Sequence, residues 1–275
     1  MGRPGMKNKL ASGPYLIWMT LFTVVPLIIV IYYAFTDSVT GAFTLGNLRA
    51  VKNYAPIFLR SVWLAVVSAL ICLLLGYPIA WRIAQAGAKS QRLLYLLVML
   101  PMCISFLLRT LAWVALLEDT GIINGFFIKL GLPPLPLIRT NGAVILGMVY
   151  NYLPYMIMPL YTVIMKIDHR LIEAAQDLGC DGLRVFTKVT LPLSVPGIIS
   201  GVTMVFVPAV STFYISQKLG NTGTTLIGDV IESQFKTAYN PNLGAALSLV
   251  LMIIVLVCTA LMNRFSDDDE SVVTV

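Results

Sequence analysis

Residues 173–197 read EAAQDLGCDGLRVFTKVTLPLSVPG, and in them charges, glycines, prolines and helix formers stand in close order between two apolar runs. These residue types suit docking between proteins rather than bond making. Asp168 is placed to cap a helix through HRLIEAAQDL, where Ala174, Ala175, Gln176 and Leu178 all favour helix. Gly179 fits the left-handed position that ends such a helix. Asp181 can cap a second helix over GLRVFTKV, and Pro192 is expected to end it, because the residue before a proline avoids helical backbone. Leu183, Phe186 and Val189 recur at spacing three and would give the second helix one apolar stripe. The expected product is a bent, amphipathic knob shaped to enter a groove on another protein. A helix lying flat on a membrane surface is the competing reading.

Residue types that carry catalysis are sparse elsewhere. The single histidine, His169, cannot build a triad or a metal cage alone. The four cysteines, Cys72, Cys103, Cys180 and Cys258, lie far apart with no CxxC or Cys/His spacing. They read as small buried hydrophobes, and no metal site is expected. No phosphate-binding GxxxxGK[ST], HExxH or GxSxG occurs.

The elements that must position the knob come from the composition. Of 275 residues, 58% are hydrophobic and 12% charged, and mean hydropathy is +0.85. A soluble domain of this length needs far more charge to cover its surface. Six apolar spans of bilayer length are expected, at about 14–36, 62–86, 92–118, 142–166, 197–217 and 243–263. The first is too long for the apolar core of a signal peptide and reads as a retained helix. The knob, about 168–195, falls between spans four and five. With the N-terminus inside, eleven of the nineteen Lys and Arg fall on the inner side and eight on the outer, a bias that favours cytoplasmic N- and C-termini. Prolines 26, 78, 101, 154, 159 and 208 fall within spans, where neighbours can satisfy the freed carbonyls. Gly197 and Gly201, four apart in GIISG, would let two helices approach closely. A net charge of +6 spread along loops does not suggest nucleic acid.

The knob carries a family pattern. Glu173-Ala174-Ala175, three residues, Gly179, nine residues, then Val189-Thr190-Leu191-Pro192 resembles the EAA loop of ABC-type importer permeases, E-A-A-x3-G-x9-I-x-L-P, with Val189 in place of isoleucine. PYLIWMTLFTVVPL, LPYMIMPLYTVIMKIDHRLIEAAQDLG, PGIISG and TLIGDVIESQF look like spermidine/putrescine importer permeases of the PotB type, so that about 14–263 is covered. The resemblance implies an all-α integral membrane protein of type I ABC importer permease architecture, one transmembrane domain over the chain. It implies that the knob is a coupling helix seated in a cytoplasmic ATPase through Glu173, Ala174, Ala175, Gly179, Val189, Leu191 and Pro192. It further implies a second permease subunit in a heterodimer, two ATPase subunits and an external substrate-binding protein. ATP and magnesium would be handled by the ATPase chain, with no cofactor bound by this one and no enzymatic activity of its own.

A polyamine offers several ammonium groups on an apolar stem, so a fitting path needs carboxylates and aromatic faces. Each cation–π contact is worth roughly 0.5–2 kcal/mol. Trp113, Glu118 and Asp119 end span three; Tyr150, Asn151, Tyr152 and Tyr155 lie in span four; Ser211, Thr212, Phe213 and Tyr214 lie in span five. Rings near span ends also serve as interfacial anchors. Arg109, within span three, costs roughly 2.5–3.5 kcal/mol to insert and should find a partner, for which an acidic or carbonyl group of the second permease is the expectation. TTLIGDVIESQFKTAYNPN is expected to form a short outer amphipathic element, with Asp229 and Glu232 off its apolar face. Ferric iron or sulfate permeases, and an ion-driven secondary transporter built from internal repeats, are the alternatives.

Overall fold

The computed structural model describes residues 18–38 and 40–273, the side chains of Thr222 and of residues 265–273 excepted. The start of the first expected span, the N-terminal basic residues and the side chains of the acidic run 267–270 therefore lie outside the described residues. The secondary structure described is helical apart from one isolated bridge, Thr36 to Phe43. In chain order the helices are α1 (Thr20–Ala34), α2 (Gly46–Val51), α3 (Ala55–Ala84), α4 (Ala88–Met99), α5 (Phe106–Leu117), α6 (Ile122–Lys129), α7 (Asn141–Ile164), α8 (His169–Asp177), α9 (Gly182–Ser211), α10 (Tyr214–Leu219), α11 (Ile227–Lys236) and α12 (Pro241–Val273). Five stretches are long and apolar enough to cross a membrane: Gly46–Ala84, Phe106–Lys129, Asn141–Ile164, Gly182–Ser211 and Pro241–Arg264. Thr20–Ala34 is a shorter apolar helix and takes the place of the first expected span.

Helix α3 shows why these helices belong in lipid. Its buried stripe is mostly small, with Ser61, Ala65, Ser68, Ala69, Cys72, Gly76 and Ala80 beside Phe58, Leu64, Tyr77 and Ile83, while Leu59, Trp63, Leu70 and Leu74 face outward. A helix in water does the reverse. Small inward residues let helix backbones approach, and large outward ones suit hydrocarbon.

Among the described residues two compact units share the chain, one formed by residues 18–38 and 40–56 with Val230–Ile253, the other by Ile57–Asp229 with residues 254–273. In the first unit, asparagines pin the end of α1. The Asn242 side-chain amide donates to the carbonyls of Tyr33 and Thr36, at 3.1 and 2.7 Å, and that of Asn47 donates to Ala34 and Thr36. These bonds occupy carbonyls that the end of a helix leaves open.

The second unit is organised around α7, whose buried face runs through Val144, Met148, Asn151, Tyr152, Met156 and Leu160. Helix α9 lies along it. An added Cβ at Gly197 would meet Val163 at 3.0 Å, and one at Gly201 would meet the Met156 sulfur at 2.7 Å, so the close approach expected of GIISG is made, onto α7. Gly147 plays the same part on the other side of α7, against Leu219 and Ile215 of α10.

Three expectations are corrected. The run 92–118 is not one helix: α4 stops at Met99, a 3-10 turn follows at Leu100–Cys103, and Ile104 and Ser105 are extended before α5 begins. Pro101 sits in that turn, where its missing N–H costs nothing. The other prolines expected to interrupt spans leave them helical; Pro78, Pro154, Pro159 and Pro208 lie inside continuous helices, and Pro26 opens the last ten residues of α1. The fifth span does not start near 197 and end near 217. It is continuous from Gly182 to Ser211, then breaks at Thr212 and Phe213. Finally, Asp229 does not lie on the exposed side of α11. It is buried and accepts bonds from the Ser216 hydroxyl at 3.0 Å and the Leu226 N–H at 2.8 Å.

Candidate functional site

The loop between α7 and α9 is built by local capping. The Asp168 carboxylate accepts from the Arg170 N–H at 3.0 Å and opens α8. At the other end the Cys180 N–H donates to the Ala175 carbonyl at 3.0 Å and the Gly179 N–H to Gln176 at 2.8 Å. This paired pattern is a Schellman stop, and it requires a left-handed residue at Gly179, whose φ is +83°. The Asp181 carboxylate then accepts from the Arg184 N–H at 3.0 Å and starts α9. Asp168, Gly179 and Asp181 thus stand in the roles read from the sequence.

Pro192 does not end the second helix. Between Phe186 and Thr190 the helix widens into a π-turn, in which the Leu191 N–H reaches back five residues to the Phe186 carbonyl. The wider turn relieves the clash between a proline ring and the carbonyl four residues earlier, and the helix runs on through Pro192. The second half of the knob is therefore the head of α9 itself. The apolar stripe is also rearranged: Val185 is buried and Phe186 and Val189 are half-buried, whereas Leu183 is 72% exposed.

What the loop presents outward is unusual for a polar segment. Leu178 is 86% exposed, and Leu171 and Leu183 are also bare, beside exposed Glu173 and Ala174. Three exposed leucines flanking the Gly179 bend make an apolar tip, the kind of surface that marks a protein contact. Ala175 and Leu191 are half-buried and Gly179 is exposed.

Behind the tip, Phe186 is held by α3. Its ring meets Tyr77 edge-on, centroids 5.5 Å apart at 89°, and Trp81 at 6.5 Å. The Tyr77 hydroxyl lies 2.9 Å from that of Ser194, which donates in turn to the Leu191 carbonyl at 2.8 Å. Trp81 also lines a small cavity with His169, Ile172 and Thr190, so that α8 covers the ends of α3 and α7. Sequence reasoning missed Tyr77, Trp81, Phe186 as a contact, and Ser194. Tyr77 and Trp81 are four apart near a span end, which reads equally as interfacial anchoring.

The aromatic candidates toward the other end of the unit are brought together in pairs. Trp113 packs edge-on against Tyr150 at 5.4 Å, and Tyr152 against Tyr155 at 6.4 Å. Tyr214 meets Phe106 at 6.3 Å and already carries a cation, the Lys218 ammonium 5.8 Å from its ring centroid. Phe213 is exposed at the break after α9. Glu118 and Asp119 are exposed in the turn between α5 and α6, and neither carboxylate joins an ion pair among the described residues. Arg109 is only 7% exposed, and its Nε and Nη1 have no hydrogen-bond partner. Both atoms are closed off inside the chain, so in this conformation they do not face a second subunit. The Asn151 carboxamide oxygen on α7 is a buried acceptor with no partner.

The family model for the inner membrane component of binding-protein-dependent transport systems matches residues 73–267, which include the whole loop and both helices that hold it. The chain belongs to this family. The spermidine/putrescine transport system permease PotB of Escherichia coli K12 is 37% identical over 246 residues, 86% of this chain and 90% of that protein. PotB of Haemophilus influenzae is 36% identical over the same share of this chain and 86% of its own length. The inner membrane ABC transporter permease YdcU of E. coli K12 is 33% identical over 86% of this chain and 80% of its own. A bacterial ABC transporter involved in import of the acidic polysaccharide alginate shares the fold, with a TM-score of 0.77 at 19% identity over 94% of each chain. The inward-facing MetNI methionine ABC transporter does so at 0.60 and 17% identity, over 78% of this chain and 95% of that one.

The chain is a multi-pass inner membrane permease, and among the described residues no cluster of His, Cys, Asp or Glu is suited to a metal.

Proposed function

We propose that this permease forms half of a path for polyamines, compounds of the spermidine and putrescine type, and that a separate ATPase drives it through the loop between α7 and α9. The observation that carries the coupling role is the bare apolar tip at Leu171, Leu178 and Leu183, next to Glu173, Ala174 and Gly179, on a segment that also carries Asp168, Arg170, Asp177, Asp181 and Arg184. Leu183 stands on the same helix as Val189, Leu191 and Pro192, so a push on that part of the tip is carried into α9. The polyamine assignment is supported by the PotB relatives, named for spermidine and putrescine transport.

In this reading the termini are cytoplasmic, so the loop faces the ATPase, which holds the ATP and magnesium. A second permease completes the pathway, and an external binding protein delivers substrate at the opposite face. Trp113, Tyr150, Tyr152, Tyr155, Phe213 and Tyr214 contribute rings toward that face, and Glu118 and Asp119 the negative charge that draws polyamines to its mouth.

The test is uptake of labelled spermidine and putrescine by proteoliposomes holding this chain, its second permease, ATPase and binding protein. Uptake that requires ATP and is competed by polyamines, not by ferric iron or sulfate, is expected. Uptake driven by an ion gradient without the ATPase would refute the assignment.

A further inference from the structure

The push reaches α9 through the chain itself, because the second half of the loop is the head of α9. It has no such covalent route to α3, which crosses the membrane beside α9 and belongs to an earlier span. We infer that Phe186, Tyr77, Trp81 and Ser194 form the joint that carries movement of the loop into α3, which makes Tyr77 and Phe186 positioning residues for transport. The inference rests on the proposed docking of an ATPase at the loop.

Three observations place the joint. Phe186 is the first residue of the π-turn, the point at which α9 departs from regular geometry. Such turns are frequent at functional positions in helices. Its ring is gripped edge-on from one side of α3 by Tyr77 and Trp81, residues one helical turn apart. About two turns further along α9, the chain of bonds from the Tyr77 hydroxyl to the Ser194 hydroxyl and on to the Leu191 carbonyl ties the same tyrosine to the helix beyond the π-turn. Tyr77 therefore holds α9 at both ends of its irregular segment, by its ring at the first residue of the π-turn and by its hydroxyl beyond the last. Tyr77 and Ser194 are both buried, so the hydroxyl bond is shielded from water, and a buried hydroxyl that loses its bond carries a desolvation cost.

A grip at two points fixes the tilt of α3 to that of α9. Either contact alone leaves a hinge. Movement of the loop by the ATPase is thus shared between two spans, and loss of one grip lets the loop move without α3.

The experiment uses the complete complex in proteoliposomes with Tyr77→Phe, which keeps the ring and removes the hydroxyl, and Phe186→Leu, which keeps apolar volume and removes the ring. Phe186→Tyr serves as the conservative variant. Retention of the ATPase on co-purification, ATP hydrolysis with and without polyamine-loaded binding protein, and polyamine uptake are read from the same preparations. The expected result is ATPase retained with all variants, and uptake per ATP hydrolysed reduced about ten-fold by Tyr77→Phe and Phe186→Leu but restored with Phe186→Tyr. Unchanged uptake per ATP in both Tyr77→Phe and Phe186→Leu overturns the joint while leaving docking intact. Failure of the unsubstituted chain to retain the ATPase overturns the docking reading, and the joint falls with it.

Discussion

The Tyr152 hydroxyl donates to the carbonyl of Pro208, 3.3 Å away, and so ties the centre of α7 to the last turn of α9. The bond answers a local need. Helix α9 ends at Ser211 and Thr212 is extended, so the Pro208 carbonyl has lost its onward helical partner. A tyrosine read from the sequence as a ring for substrate is thereby also a cap. Tyr152→Phe separates the two roles. It is expected to cost about 1 kcal/mol of stability, as loss of one buried hydrogen bond does, while leaving polyamine affinity unchanged because the ring remains. Thermal unfolding in detergent and binding to the assembled complex measure the two; a fall in affinity without a fall in stability would assign the hydroxyl to the path.

The contact between α9 and α7 has no spare volume at Gly201, where an added Cβ would lie 2.7 Å from the Met156 sulfur and 3.2 Å from the Met156 carbonyl. Gly201→Val is expected to destabilise the bundle by about 1–3 kcal/mol through overpacking. The midpoint of thermal unfolding should fall. An unchanged midpoint would show that the two helices separate readily.

Gly179 offers a different test, because space and backbone disagree there. Nothing lies within 4 Å of an added Cβ, yet φ is +83°. Gly179→Ala should therefore cost about 1–2 kcal/mol in holding the left-handed turn and weaken ATPase retention moderately. Gly179→Trp adds bulk at the outward face and should abolish retention. Equal retention by both variants would place the docking surface elsewhere.

Glu118 and Asp119 are exposed and free of ion pairs among the described residues. Replacing both, Glu118→Gln with Asp119→Asn, is expected to raise the polyamine concentration needed for half-maximal uptake several-fold, more at low salt than at high, since exposed charges steer cations over a distance that salt shortens. Uptake curves at two ionic strengths decide it, and superimposable curves would remove these carboxylates from the pathway.

Arg109 keeps two buried donors without partners. An unpaired buried polar group costs roughly 1–3 kcal/mol, more when charged. Arg109→Met should accordingly raise the unfolding midpoint of the isolated chain. A lower midpoint would reveal that the guanidinium has an acceptor after all.

Much of this arrangement was legible in the residues. The two aspartate caps and Gly179 are set by interactions within a few positions, and hydropathy marks the apolar stretches, though not where each helix begins and ends. The closeness of α9 to a neighbour was written in Gly197 and Gly201, though not which neighbour. What hydropathy could not show is helix continuity: residues 92–118 stay apolar straight through the break at Ser105, and Pro192 reads as a stop unless the π-turn ahead of it is known. The grip on Phe186 was hidden for another reason. It joins residues more than a hundred positions apart, and each alone fits an ordinary membrane helix.

The account stands on the loop as the seat of an ATPase. Co-purification of the candidate ATPase with this permease, unsubstituted and with Glu173→Lys, tests that most directly. The prediction is that the unsubstituted chain retains the ATPase and that Glu173→Lys, inserted in the membrane at equal level, loses it. Equal retention of the ATPase by both would move the docking surface away from the exposed tip, and no retention by either would contradict ATP-driven transport by this chain.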